Sequence, residues 1–125
     1  MNNATLLLRQ IHPEFIQDNR PSSQAFRPTP KDEQLLSVHD GDQISPEDAW
    51  RHYTQQLGLM SCGVLAVSVA ECCALDLQTV PDPETFPEHC LIDFSAHNKS
   101  ATEKKAKLLK VKATARGWQY EMTGV

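Results

Sequence analysis

Arg9 poses the sharpest chemical question in this chain. It follows Leu6-Leu7-Leu8 and precedes Gln10-Ile11, and a guanidinium inside an apolar strand needs a carboxylate, carbonyl groups or a bound anion to offset its desolvation. An acid on a later strand, Asp93 or Glu88, is one candidate partner; a ligand anion is the other. Arg20 and Arg27 flank Ser22, Ser23 and Gln24, a grouping that suits a polar pocket for phosphate or carboxylate. A Ser-His-Asp site has Ser22, Ser23, Ser37, His39 and several acids to draw on, although no G-x-S-x-G elbow marks a nucleophile. His39 and His89 are the imidazoles considered as proton carriers.

Metal and thiol chemistry find less support. Cys62, Cys72, Cys73 and Cys90, with His12, His39, His52, His89 and His97, show none of the short spacings of structural zinc sites, so no metal is expected. His89 and Cys90 are adjacent on an expected strand and point to opposite faces, which predicts a buried Cys90, a surface His89 and no thiol–imidazole pair. Cys62 reads as a small buried hydrophobe, as does one of Cys72 and Cys73. The thiols are expected to be reduced in a cytoplasm, since no export signal accompanies them. Neither a Walker loop nor G-x-G-x-x-G occurs.

Charge is distributed unevenly. Residues 1–96 carry 5 basic and 14 acidic side chains, a formal −9, whereas residues 97–117 carry 7 basic and 1 acidic, or +6. One surface should therefore attract anions or an acidic partner. Lys104, Lys105, Lys107, Lys110, Lys112 and Arg116 are its candidate contact residues, and Trp118 and Tyr120 follow closely enough to suggest stacking beside them.

The elements that must position these groups add up to one α+β domain over residues 1–125, with a small mixed sheet, two main helices and a long Pro-rich N-terminal loop. A strand is expected over 5–11, internal to the sheet. Pro13, Pro21, Pro28 and Pro30 predict loop over 12–33, with one helical turn near 14–17. A short strand over 34–38 ends at Asp40-Gly41-Asp42. Ser45 caps a helix whose first residue is Pro46 and whose apolar face is Ala49, Trp50, Tyr53 and Leu57, ended by Gly58. Residues 63–70 read as the sheet's middle strand. A helical turn at 71–75, a strand at 78–80 and another at 89–94 follow. A helix over about 101–115, within the basic stretch 99–116, turns Ala106, Leu109 and Ala113 inward and stops at Gly117. Residues 118–122 suit an edge strand. The apolar runs are too short to cross a bilayer or to form a secretory leader, so a soluble, cytoplasmic protein without a membrane partner is expected.

Arg9 on a first strand, Ser37 in Leu-Leu-Ser-Val on the next, then a helix, a strand and Glu88 in Pro-Glu-His resemble the R-S-E order of small ADP-ribosyltransferase-like domains. The resemblance spans residues up to about 94. It implies a mixed α+β fold binding NAD in a cleft, with Arg9 on the cofactor's phosphate or ribose, Ser37 on the nicotinamide side and Glu88 orienting the ribose. The chain departs from that pattern in lacking an E-x-E or Q-x-E pair. Three functions follow as expectations. The first is a non-catalytic accessory or immunity protein, with no cofactor, engaging a protein partner through the charge-polarised surface. The second is an NAD- or nucleotide-binding domain, and the third is nucleic-acid binding through the basic helix.

Overall fold

The computed structural model describes residues 1–28 and 33–122. Six strands form one antiparallel sheet in the order β6-β7-β4-β1-β5-β8. They are β1 (Leu6–Gln10), β4 (Leu35–Asp40), β5 (Gly63–Ser68), β6 (Gln78–Pro81), β7 (His89–Asp93) and β8 (Tyr120–Glu121). A separate two-residue hairpin joins β2 (Ile16–Gln17) to β3 (Arg20–Pro21). The α+β class is as expected, but every pairing is antiparallel where a mixed sheet was expected. The reason is topological: each helical crossover delivers its strand to a position beside an oppositely directed neighbour.

Helices cover both faces. On one, α3 (Lys99–Arg116) inserts Ala106, Leu109 and Ala113 among Leu7, Leu36, Leu65, Val67 and Ile92. On the other, Ala49 and Trp50 of α1 (Pro46–Arg51) pack with Leu8, Val64 and Ala66. This double cover explains β5, whose six residues are all buried. Its apolar run suggests the middle strand, yet it lies next to the edge, between β1 and the two-residue β8. A continuous apolar run reports that both faces are covered, which a near-edge strand satisfies when helices flank it. Ser68 then starts α2 (Val69–Ala74) through a reciprocal capping box with Glu71.

The stretch 12–33 is more ordered than loop, with residues 29–32 lying outside the described part. A 3₁₀ turn at Pro13–Phe15, the hairpin and a second 3₁₀ turn at Ser23–Phe26 occupy its first part. That second turn buries Ala25 and Phe26 completely against α3. After α1 the chain passes into a π turn, His52–Gln56. The wider turn breaks the 3.6-residue spacing, so Leu57, expected on the buried face, is 43% exposed.

Candidate active site

Strands β1 and β4 pair only at Leu7↔Asp40 and Leu8↔His39. Beyond these positions the strands part, and a pocket of about 360 Å³ opens, lined by Arg9, Gln10, Ser37, His39, Tyr53 and Phe86, with His89 at its wall. Residue His39 pairs with His89 and Ser37 with Leu91 across β4 and β7. Directly opposed and alternate residues share a sheet face, so Ser37, His39 and His89 all turn toward the pocket.

A three-residue hydrogen-bond chain runs through this face. Ser37 Oγ lies 3.1 Å from His89 Nε2, and His89 Nδ1 lies 2.8 Å from Asp82 Oδ2. An ionised carboxylate only accepts, so Nδ1 is the donor to Asp82, and in the neutral imidazole the Nε2 lone pair then faces the serine hydroxyl. Asp82 Oδ2 also accepts from Thr85 Oγ1 at 2.6 Å. The bonds from Thr85 and His89 hold the Asp82 carboxyl below its ordinary range, which keeps it an acceptor at neutral pH. Ser37 is exposed to the pocket, whereas His89 is buried. The expected surface position of His89 is thus corrected: it faces away from Cys90, as alternation requires, but that opposite face is covered by Phe86 and the loop bearing Asp82.

Phe86 organises the imidazoles. Its ring centre lies 5.0 Å from that of His39, 4.5 Å from His52 and 4.7 Å from His89. His39 Nε2 and His52 Nδ1 are 3.1 Å apart. Burial first, then the neighbouring His52 and His89, lower the His39 pKa to about 4, so His39 is neutral at pH 7. Its folded pKa lies below its ordinary 6.5, and the unfolded chain therefore binds the proton first on acidification. Stability should be full above about pH 6.5, fall by up to about 3 kcal/mol as pH drops toward 4, and lose nothing further from this group below that. Urea melts of wild type and His39→Gln across this window check the expectation; the variant should show the smaller slope between pH 6.5 and 4.

Gln10 is the third element of the site. It is 5% exposed, and neither Oε1 nor Nε2 has a hydrogen-bond partner among the described residues. It lies two positions beyond Leu8↔His39, past the end of the β1–β4 pairing, and lines the pocket together with Ser37. An unpaired buried amide costs about 1–3 kcal/mol, a cost that a ligand oxygen accepting from Nε2 would offset. Gln10→Met, which keeps the side-chain length without polar atoms, should raise stability by about 1 kcal/mol or more. The shift in urea midpoint measures it; a less stable variant would remove the argument.

The other singled-out residues are spread more widely. Arg9 Nε donates to the Ala25 carbonyl of the second 3₁₀ turn at 2.7 Å and Nη1 to the Ser37 carbonyl of β4 at 3.0 Å, so backbone acceptors help to satisfy it. Glu88 lines an adjoining depression with Arg51 and His52, on the far side of Phe86. Arg20, Ser22 and Ser23 come together, but with Lys107 and Lys110 and not with a histidine. Arg27 Nη2 donates to Ser23 Oγ at 3.3 Å while lining a further depression with Gln34 and Lys99. Of the basic helix, Lys105 Nζ donates to the Leu75 carbonyl, and Arg116 is tied to Glu71 and the Ala66 carbonyl. Lys104, Lys107 and Lys112 remain exposed. Sequence reasoning overlooked Asp82 and Gln10. The only trace of Asp82 was an acid seven residues before a histidine across a predicted break; Gln10 had none.

Cys72 and Cys90 are buried, Cys62 is partly buried and Cys73 is exposed, all as free thiols. Burial pushes the Cys72 thiol up to about 12 and Cys90 to about 11, so both stay protonated. Among the described residues, no group of three or more His, Cys, Asp or Glu is arranged to hold a metal ion, and no helix is long and apolar enough to cross a membrane. No known protein family, curated protein or solved structure matches the chain.

Proposed function

We propose that the pocket is a hydrolytic site for small acyl esters, with Ser37 as nucleophile, His89 as general base and acid, and Asp82 as the group that orients the imidazole. The observation that carries this reading is the chain Ser37 Oγ–His89 Nε2 and His89 Nδ1–Asp82 Oδ2, at 3.1 and 2.8 Å, opening into a pocket beside an unpaired Gln10 amide. In acylation the Ser37 Oγ–C bond forms as His89 Nε2 takes the hydroxyl proton; the ester C–O bond then breaks and His89 returns the proton to the departing alkoxide. Water repeats the sequence on the acyl-serine and releases the acid. Gln10 Nε2 is the donor suited to the oxyanion. Neutral His39 adds no positive charge to oppose proton uptake by His89. Leu57 and Leu59 line the pocket and are 43% and 48% exposed, which favours an apolar acyl group.

The test is reaction of the protein with an alkyl fluorophosphonate, which loses fluoride when it bonds to an activated serine, followed by peptide mapping and assay of p-nitrophenyl butyrate. An adduct on Ser37 and turnover of the ester are expected. Absence of both overturns the reading. Under that outcome, NMR shifts on Arg9 and Ser37 with NAD would move the site to the nucleotide-binding reading, which draws on these two residues sharing the pocket. Silence with NAD would leave the accessory-protein reading, which draws on exposed Lys104, Lys107 and Lys112 beside Leu108 and Val111, 48% and 51% exposed.

A further inference from the structure

On the α3 side of the molecule two depressions share a wall. One, of about 360 Å³, is lined by Trp118, Leu65 and Thr114; the other, of about 580 Å³, by Ser22, Ser23, Asp18 and Lys107; Arg20, Pro21 and Lys110 line both. Local sequence builds this groove. Asp18 and Asn19 have φ of 52° and 63°, the left-handed pair of a tight two-residue hairpin turn, and the short ladder that follows pairs Arg20 with Gln17. Lys107 and Lys110 are three residues apart on α3 and so share a helix face. Trp118 packs against the main core. Its ring occupies the space a Cβ on residue 63 would need, 2.8 Å from that position, so Gly63 lets the indole settle against the sheet.

The side chains of Arg20, Lys107 and Lys110 form no ion pair among the described residues, although the chain has more acids than bases. Among the described residues Asp18 is the one acid lining the groove. Ser22 Oγ is buried there without a hydrogen-bond partner among the described residues. Clustered cations recognise phosphate, and an indole beside them supplies a surface on which a base stacks. An acidic peptide would use the cations and leave the indole idle.

We infer that this groove binds a nucleoside phosphate, free or as a unit of single-stranded nucleic acid, with the phosphate among Arg20, Lys107 and Lys110 and the base against Trp118. The inference is independent of the hydrolytic site. It is tested by ¹H–¹⁵N titration of the whole chain, following the Trp118 indole N–H against that of Trp50, which is tied to the Ser61 carbonyl. AMP should move the Trp118 indole and the Lys107 and Lys110 amides and leave Trp50 in place; inorganic phosphate should move the lysine amides alone. The double variant Arg20→Glu, Lys110→Glu should bind AMP at least tenfold more weakly while its Trp50 indole keeps the wild-type shift. An eight-residue oligothymidylate binding tenfold more tightly than AMP, with a log–log salt slope of about −2 for three phosphate contacts, identifies the strand; equal affinity identifies the free nucleotide. No movement of Trp118 with either ligand overturns the inference. So does undiminished binding by the double variant, or a preference for an oligoglutamate peptide.

Discussion

Ser37→Ala is expected to lower kcat/KM for an activated butyrate ester by about 10³-fold or more, and His89→Ala by a similar factor, because nucleophile and base act as one unit. The double variant should be no slower than either single one; losses that multiplied would mean the two residues work separately. Asp82→Asn should cost less. Its carboxylate is one-third exposed, so water can partly replace it, but the amide can donate where the carboxylate only accepts, letting His89 present the wrong nitrogen to Ser37. The losses should appear in kcat with KM little changed, since the 3.1 Å and 2.8 Å bonds act on proton transfer and not on binding. Steady-state kinetics with urea melts for each variant decide the matter. Three variants all within tenfold of wild type would leave the serine without a catalytic role.

Phe26→Ala should produce the largest loss of stability, about 3–5 kcal/mol. Phe26 is 0% exposed and, with Phe94, among the largest fully buried side chains. Its 3₁₀ turn is the main contact of the N-terminal segment with α3. A cavity there cannot collapse easily, because a sheet wall and a long helix border it. A domain of this size has about 5–15 kcal/mol in total, so the variant should melt at much lower urea or fail to accumulate. The adjacent Ala25 carbonyl also accepts from Arg9 Nε, so local loosening should disturb the pocket wall as well. The denaturation midpoint measures the first effect, and ester turnover at low temperature the second. A loss below about 1 kcal/mol would mean the 3₁₀ turn can detach from α3 at little cost.

Much of the element order follows from local chemistry. Ser45 and Pro46 start α1 because a hydroxyl acceptor and a residue without an N–H suit a helix's first turn. Ala106, Leu109 and Ala113 are buried as their spacing requires, and Gly117, at φ 92°, follows the last residue of α3. Alternation separates Cys90 from His89. Local reading failed where a signal had two causes or none. The apolar run of β5 reflects cover on both faces, not a central place in the sheet. The π turn that carries Tyr53 to the pocket has no strong sequence mark. Prolines at 13, 21 and 28 predicted loop, and the chain used them to shape short turns that bury Phe26.

By itself, then, the sequence determined the α+β class, most element positions, the core face of α3 and the presence of arginine, serine and histidine able to do chemistry. Each depends on neighbours within a few residues, through caps, periodicity or turn preference. Only the tertiary structure decided which of those residues meet. Antiparallel register set Ser37 diagonal to His89, a turn beyond β6 brought Asp82 to the imidazole, and the short β1–β4 pairing opened the pocket on Gln10. The two hydrogen bonds join residues 7 and 52 positions apart, and Leu8 pairs with His39, 31 positions on; register over such separations is set by packing of the whole sheet, which no local stretch encodes.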